Sequence, residues 1–115
     1  MHKVIALSLN QILNRGREGR MSVRGETLYV KPAPIVECID GYQVSIQCSK
    51  YSYAIPREDF TDVSNYISFE LGFPNMSDEI LDGYAADETD FTETVYPYVP
   101  RAVVEALLLK HGGAV

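Results

Sequence analysis

The stretch Tyr42-Gln-Val-Ser-Ile-Gln-Cys-Ser49 alternates strictly between apolar and polar side chains. A repeat of two residues is typical of a β-strand with one buried face. The apolar face holds Tyr42, Val44, Ile46 and Cys48, and the polar face holds Gln43, Ser45, Gln47 and Ser49. The stretch therefore predicts a half-buried strand, around which we expect the rest of the chain to fold.

Turn residues predict the neighbours of this strand. Asp40-Gly41 lies directly before it, and this pair favours a type I′ hairpin turn, whose two central residues both need positive φ. The turn predicts an antiparallel partner strand over Ile35–Ile39. A second hairpin is predicted from two short stretches further upstream, Met21–Arg24 and Thr27–Val30.

Downstream, another alternating stretch predicts a fifth strand. Its apolar side chains, which we expect to point inward, are Ile67, Phe69, Leu71 and Phe73. The opposite face of the predicted sheet is nearly free of charge and consists of Gln43, Ser45, Gln47, Ser49, Tyr66 and Ser68. A face of amides and hydroxyls fits either an oligomer interface or the floor of a ligand site.

Helical spacing occurs at both ends of the chain. Apolar residues at steps of three and four predict an N-terminal helix of about three turns, formed around Val4, Ile5, Leu9, Ile12 and Leu13. Pro100 suits the first turn of a C-terminal helix, whose apolar residues are Val103, Val104, Leu107 and Leu108. These elements predict one α+β domain over residues 1–115, with an antiparallel sheet of four to five strands and a helix near each end.

Between the first helix and the first hairpin, the chain contains two glycines among arginines. Gly16 suits the residue that follows a helix, and Arg17–Arg20 predicts a connecting loop. The Gly-x-x-Gly spacing of Gly16 and Gly19 beside arginines also fits a phosphate cradle, and the residues alone leave both interpretations open.

Charge is distributed unevenly along a chain of net charge −6. Residues 1–33 contain six basic and two acidic residues, whereas the segment between Arg57 and Arg101 contains eleven acidic residues and no basic one. An acidic surface repels nucleic acid, so we predict no nucleic-acid partner. The acidic segment fits a solvated loop, a DNA mimic that faces a basic protein, or self-association with the basic half.

The sequence shows no signature of a metal site, a cofactor site or a membrane segment. Cys38 and Cys48 are predicted to be reduced and buried, with a disulfide as the alternative. His2 and His111 lie far apart, so no metal site is predicted. We also predict no cofactor, because the chain contains neither a Gly-x-Gly-x-x-Gly fingerprint nor a P-loop. No apolar run is long enough to span a bilayer, so we predict no membrane segment. Polar residues interrupt the N-terminal apolar run, so we predict no signal peptide.

No catalytic template fits, and we predict that the protein is not an enzyme. A Ser-His-Asp arrangement would need His2 or His111, and both lie close to a chain end. Carboxylates are plentiful, but nothing distinguishes one pair from the others.

Aromatic and basic residues point instead to binding. Tyr51, Tyr53 and Arg57 combine two flat rings with a guanidinium, which suits stacking on a base and paired hydrogen bonds to phosphate. A second aromatic group has the same character; it precedes Arg101, lies among Thr89, Thr92 and Thr94, and consists of Phe91, Tyr96 and Tyr98. The alternatives are that these rings cover a small core, or that they form a protein interface.

Five stretches of the chain resemble a family of small phage and prophage proteins. They are Asp40-Gly-Tyr-Gln-Val-Ser-Ile-Gln-Cys-Ser49, Tyr53-Ala-Ile-Pro-Arg57, Glu70-Leu-Gly-Phe-Pro74, Thr94-Val-Tyr-Pro-Tyr-Val-Pro100 and Lys110-His-Gly-Gly113. In the same stretches the chain is similar to the phage sponges that defeat Thoeris immunity by sequestering its signal.

The resemblance implies a protein that captures a cyclic nucleotide signal, either a cyclic ADP-ribose isomer or a cyclic oligonucleotide, without cleaving it. It implies a homo-oligomer, a dimer or a hexamer, in the cytoplasm of the infected bacterial host. Arg57 and Arg101 would contact anionic groups, and Tyr53, Phe91 and Thr92 would complete the site. One alternative is a protein-binding inhibitor, such as an anti-CRISPR protein, whose acidic 58–100 segment mimics DNA. Another is a small phage structural or assembly protein.

Overall fold

The computed structural model of the chain describes residues 6–24 and 27–115. It contains four helices, α1 to α4, at Leu9–Asn14, Arg17–Arg20, Glu79–Asp82 and Arg101–Lys110. Its strands, β1 to β6, are Met21–Arg24, Thr27–Val30, Val36–Glu37, Gln43–Gln47, Ser68–Gly72 and Val95–Pro100. A short 3₁₀ helix lies at Val63–Asn65.

The strands form two separate antiparallel sheets. The larger has the order β3-β4-β5-β6, and β1 and β2 form a hairpin of their own. Val44 pairs with Val36, and Ile46 pairs with Leu71 on the other side of β4. The predicted α+β class, with an antiparallel sheet and helices near both ends, is confirmed.

Strand β4 has the burial pattern that its alternation predicts. Val44 and Ile46 are fully buried, whereas Gln43, Ser45 and Gln47 are half-buried. The amide of Gln47 accepts a hydrogen bond from the Ala33 backbone N–H at 2.7 Å and donates one to the Ala33 carbonyl at 3.0 Å. The polar face of the sheet is therefore partly covered by the chain itself.

The turn before β4 differs from the predicted type. Gly41 has φ of +91°, but Asp40 is not among the residues of positive φ, so the turn is not type I′. The Gly41 N–H donates to the Cys38 carbonyl at 3.0 Å, and the Cys38 N–H donates to Tyr42 at 2.8 Å. These bonds define a three-residue loop with one left-handed glycine.

Strand β5 corrects the predicted inward face. Phe69 and Leu71 are buried, but Ile67 and Phe73 are exposed and Tyr66 is fully buried. The alternation fails at both ends because the chain bends there: Tyr66 follows the 3₁₀ helix, and Phe73 takes a φ of +50°. Ser49 and Ser68, predicted on the open polar face, are buried as well.

Strand β6 was not predicted, because it contains Pro97 and Pro100. Proline cannot donate to a strand ladder and is therefore found mainly on edge strands. The strand lies at the edge of the sheet, where Val99 pairs with Phe69.

The N-terminal helix is shorter than predicted. A capping box at Ser8 and Gln11 starts it, so it runs over six residues, and Val4 and Ile5 lie outside the described residues. Gly16 follows the helix with φ of +72°, as predicted, but Arg17–Arg20 forms a helical turn instead of a loop.

The C-terminal helix α4 begins directly after Pro100, as predicted. It packs against β5 and β6 and buries Val104, Leu107 and Leu108. Within residues 6–24 and 27–115, no helix is long and apolar enough to cross a membrane.

Arg101, the first residue of α4, connects three parts of the fold. Its Nε and one terminal nitrogen donate to the Tyr66 carbonyl at 2.9 and 2.8 Å, and the same terminal nitrogen donates to Val63 at 2.7 Å. The other terminal nitrogen donates to Asn10 Oδ1 on α1 at 2.6 Å. The guanidinium also lies 5.0 Å from the centre of the Phe69 ring.

We predict that Arg101→Met lowers the free energy of unfolding by about 2–3 kcal/mol, because buried carbonyls lose a charged donor. Chemical denaturation would measure the change. Glu105→Gln is the matched control, since it breaks only the exposed 3.5 Å ion pair with Arg101; we expect a change within about 0.5 kcal/mol. Equal effects of the two substitutions would contradict the structural role of Arg101.

Candidate functional site

The segment that follows β4 is held against β5, and this places its tyrosines at the surface. Ala54 is fully buried and anchors the segment. The Ile55 N–H donates to the Ser68 carbonyl at 3.4 Å, and the Ile67 N–H donates to the Ile55 carbonyl at 2.8 Å. Because Ala54 points inward, Tyr53 and Ile55 on either side of it are exposed.

Tyr53, Arg57 and Tyr98 form an exposed group, which we call the tyrosine–arginine cluster. The Arg57 guanidinium carbon lies 5.6 Å from the centre of the Tyr53 ring. The Tyr53 and Tyr98 ring centres are 5.9 Å apart, with the rings tilted by 58°. Tyr53 is 47% exposed and Tyr98 is 40% exposed, so both rings present surface to solvent.

Tyr98 reaches this position at a backbone cost. Its φ is +54°, in the left-handed region that L-residues with a Cβ avoid. Its N–H donates to the Tyr53 carbonyl at 2.9 Å, which ties β6 to the preceding segment. Strain of this kind is held by surrounding structure and occurs preferentially at functional sites.

The cluster has the chemistry of a binding surface. Tyrosine rings stack on flat ligands, and a guanidinium forms paired hydrogen bonds to phosphate or carboxylate. An arginine over a tyrosine face is also pre-oriented by cation–π attraction. A ligand that combines a flat ring with an anionic group matches both properties.

The other predicted site residues lie elsewhere in the structure. Phe91 and Thr92 are half-buried in the loop before β6. Thr92 donates from its N–H and its hydroxyl to Asp90 at 3.3 and 3.1 Å, and the Phe91 carbonyl accepts from the Tyr96 hydroxyl. These bonds stay within the loop and β6, and none of them reaches Arg57.

Arg101 is not available as an anion contact in this structure. Its donors are directed to the carbonyls of Tyr66 and Val63 and to Asn10 and Glu105. The structure therefore brings together Tyr53 and Arg57 with Tyr98, a member of the second aromatic group that the sequence indicated.

A second group of polar residues surrounds His111, which the sequence did not single out as a site. His111 Nδ1 lies 2.6 Å from Asp40 Oδ2, and Nε2 lies 2.8 Å from Asp78 Oδ2. The ring stacks on Tyr42 with centres 4.0 Å apart. Lys110 Nζ donates to Asp78 Oδ1 at 3.0 Å.

This His111 group stabilises a charged imidazole. Burial opposes the charge, but hydrogen bonds to Asp40 and Asp78 outweigh it and raise the pKa of His111 above 6.5. The pKa of Asp78 is lowered: burial opposes this, and hydrogen bonds from Ile80, His111 and Lys110 prevail. A backbone hydrogen bond from Tyr42, followed by the bond to His111, lowers the pKa of Asp40.

We interpret the His111 group as a structural connection. It joins the end of α4 to the turn before β4 through Asp40, and to the start of α3 through Asp78. The partners of His111 are Tyr42, Asp40 and Asp78, which lie far from it in the sequence. Only the three-dimensional structure shows that they are in contact. Sequence spacing contained no signal for this arrangement.

The two cysteines are free and buried. Burial, followed by the nearby charge of Asp40, raises the pKa of the Cys38 thiol to about 11. Burial likewise raises that of Cys48 to about 11, against the effect of Arg17. Across the part of the chain that the structure describes, no group of three or more histidine, cysteine or acidic side chains is placed to hold a metal ion.

Comparison of the chain with protein-family models, with curated proteins and with solved structures found no match. Its function is therefore inferred from the residues and their geometry.

We predict that Tyr98→Gly is more stable than Tyr98→Ala by about 1 kcal/mol. Both substitutions remove the ring, but only glycine accepts a φ of +54° without strain. The matched control is Ala106→Gly on the exposed side of α4, where glycine should cost about 1 kcal/mol instead. Thermal or chemical denaturation measures all three, and a Tyr98→Gly protein less stable than Tyr98→Ala would contradict the strain.

We predict a pH dependence of stability that arises from His111. Its folded pKa is raised, so its contribution is complete below the unfolded value of 6.5 and is lost as pH rises through the folded value. Asp40 and Asp78 have lowered pKa values, so their contributions are lost as pH falls below 3.8 through the folded values.

Melting temperatures recorded between pH 4 and pH 9 test this dependence. Wild type should lose stability above about pH 6.5, and His111→Gln should lose less over the same range. Parallel curves for the two proteins would show that His111 does not cause the decline.

Proposed function

We propose that this protein binds and sequesters a cyclic nucleotide immune signal, a cyclic ADP-ribose isomer or a cyclic oligonucleotide, without cleaving it. The observation that carries the proposal is the exposed tyrosine–arginine cluster. The Arg57 guanidinium lies 5.6 Å from the centre of the Tyr53 ring, and the centre of the Tyr98 ring lies 5.9 Å from that of Tyr53. The rings would stack on a base, and Arg57 would hold a phosphate.

Capture fits this cluster better than catalysis does. Its three members are two phenols and a guanidinium, with no histidine, carboxylate or thiol among them. Binding a nucleotide requires stacking and charge-assisted hydrogen bonds, whereas cleaving it requires a positioned acid, base, nucleophile or metal. A captured signal would therefore be released unchanged when the protein unfolds.

The proposal includes a homo-oligomer, a dimer or a hexamer. An open cluster covers one side of a ligand, and a second copy of the chain would cover the other. Exposed Ile55 and Ile67 lie on adjacent hydrogen-bonded segments beside the cluster and supply apolar surface for such a contact. A phage protein that removes an immune signal would act in the cytoplasm of the infected bacterial host.

A second candidate is a protein-binding inhibitor, such as an anti-CRISPR protein, that uses the acidic 58–100 segment as a DNA mimic. The observation in its favour is that hydrogen bonds fix the conformation of the acidic loop before β6. Asp87 accepts hydrogen bonds from Thr89 at 2.9 and 2.5 Å, and Asp90 accepts two from Thr92. These carboxylates are exposed yet held in place, as a mimic of phosphate spacing requires.

The test is thermal unfolding against a panel of cyclic ADP-ribose isomers and cyclic di- and trinucleotides. A bound ligand at about one hundred times its dissociation constant should add about 2.7 kcal/mol of stability. We predict that Arg57→Ala lowers affinity by about tenfold or more without unfolding the domain, because a charged hydrogen bond is lost.

Lys50→Ala is the matched control, since it removes an exposed cation from the same segment and leaves the cluster intact. We expect it to bind as wild type does. Undiminished binding by Arg57→Ala would remove the cluster as the site. A panel without any shift, combined with salt-sensitive binding to a basic protein, would support the inhibitor instead.

A further inference from the structure

Arg17 is a buried cation in an unusual setting. Arg17 is the first residue of the helical turn α2, and it is 3% exposed. Its Nε donates to the Phe60 carbonyl at 2.6 Å, and one terminal nitrogen donates to the Cys48 carbonyl at 2.9 Å and the Tyr66 hydroxyl at 3.1 Å. The other terminal nitrogen has the Cys48 sulfur as its partner, at 3.5 Å.

All of these partners are neutral. Two are backbone carbonyls. Burial raises the pKa of both the Cys48 thiol and the Tyr66 phenol, so neither supplies a negative charge. Among the ion pairs of residues 6–24 and 27–115, none involves Arg17. A buried charge of this kind is normally paired with an opposite charge.

The guanidinium also has donor capacity to spare. Arginine has five N–H groups, and four hydrogen bonds are made here, one of them to sulfur, a weak acceptor. Nearby Arg20 adds positive charge: burial, followed by repulsion from Arg17, lowers the pKa of Arg20. Two guanidinium groups therefore lie near each other in this region.

A cavity of about 300 Å³ opens beside this guanidinium. Its polar lining has two cations, three hydroxyls, an amide and one carboxylate, from Arg17, Lys31, Ser49, Tyr51, Ser52, Gln47 and Glu70. Lys31 is exposed, whereas Arg17, Ser49 and Ser52 are buried. The cavity thus combines a buried cation with an exposed one.

We propose that this cavity binds a small oxyanion, a single phosphate group, between Arg17 and Lys31. Phosphate gives the buried guanidinium an anionic partner, and Lys31 contacts the anion from the solvent side. None of Tyr53, Arg57 and Tyr98 lines the cavity, so this site is distinct from the tyrosine–arginine cluster.

Glu70 determines how much negative charge the cavity accepts. It lies in the lining but forms no ion pair with Arg17 or Lys31. Its carboxylate repels a second anionic group, so a monophosphate is favoured over a pyrophosphate. Removing this charge should therefore strengthen binding.

The experiment titrates the full-length protein with inorganic phosphate by calorimetry at constant ionic strength, with added sodium chloride as the reference. Lys31→Gln should weaken phosphate binding by about twofold to fivefold, since an exposed charge contact is lost. Glu70→Gln should strengthen it by a similar factor. In NMR spectra recorded over the same phosphate titration, the backbone amide signals of Ser49 and Ser52 should shift.

Arg57→Gln separates this site from the cluster. It should leave phosphate binding unchanged even though it weakens nucleotide binding, so either proposal can fail without the other. The cavity site is overturned if Arg57→Gln, and not Lys31→Gln, removes phosphate binding. It is also overturned if wild type, Lys31→Gln and Glu70→Gln all give the same calorimetric response to phosphate, because phosphate then acts only as a general salt.

Discussion

Two arginines from opposite ends of the chain converge on Tyr66, and the rest of the structure depends on this contact. Arg17 donates to the Tyr66 hydroxyl, and Arg101 donates to the Tyr66 carbonyl. Tyr66 is fully buried two residues before β5, and the N–H of the next residue, Ile67, donates to the Ile55 carbonyl. The helices at both ends are thereby attached to the strand that holds the exposed tyrosine segment in place.

This use of arginine changes the meaning of the charge distribution. In the basic N-terminal part of the chain, Arg15, Arg17 and Arg20 donate to backbone carbonyls at 3.3 Å or less. Arg101 does the same near the C-terminus. Arg57 is exposed, and its guanidinium lies over the Tyr53 ring. The exposed cation of the tyrosine–arginine cluster therefore comes from the middle of the chain.

The cluster and the cavity share one stretch of backbone, residues 49–57. Ser49 and Ser52 line the cavity, and Tyr53 and Arg57 form part of the cluster. The Ser49 and Ser52 hydroxyls lie 3.0 Å apart and close this segment into a compact turn. A ligand at either site would stabilise the same turn.

Local patterns in the sequence determined β4, the hairpin of β1 and β2, the α4 helix and the pairing of Tyr53 with Arg57, because period, turn residues and short separations act between neighbours. The burial of Arg17, the internal bonding of Arg101, the strained Tyr98 and the His111 group were decided by the tertiary structure alone. Each depends on a partner far away in the chain, and a guanidinium or imidazole has no periodicity that marks it as buried. Only packing decides whether such a charge meets a carbonyl, a carboxylate or solvent.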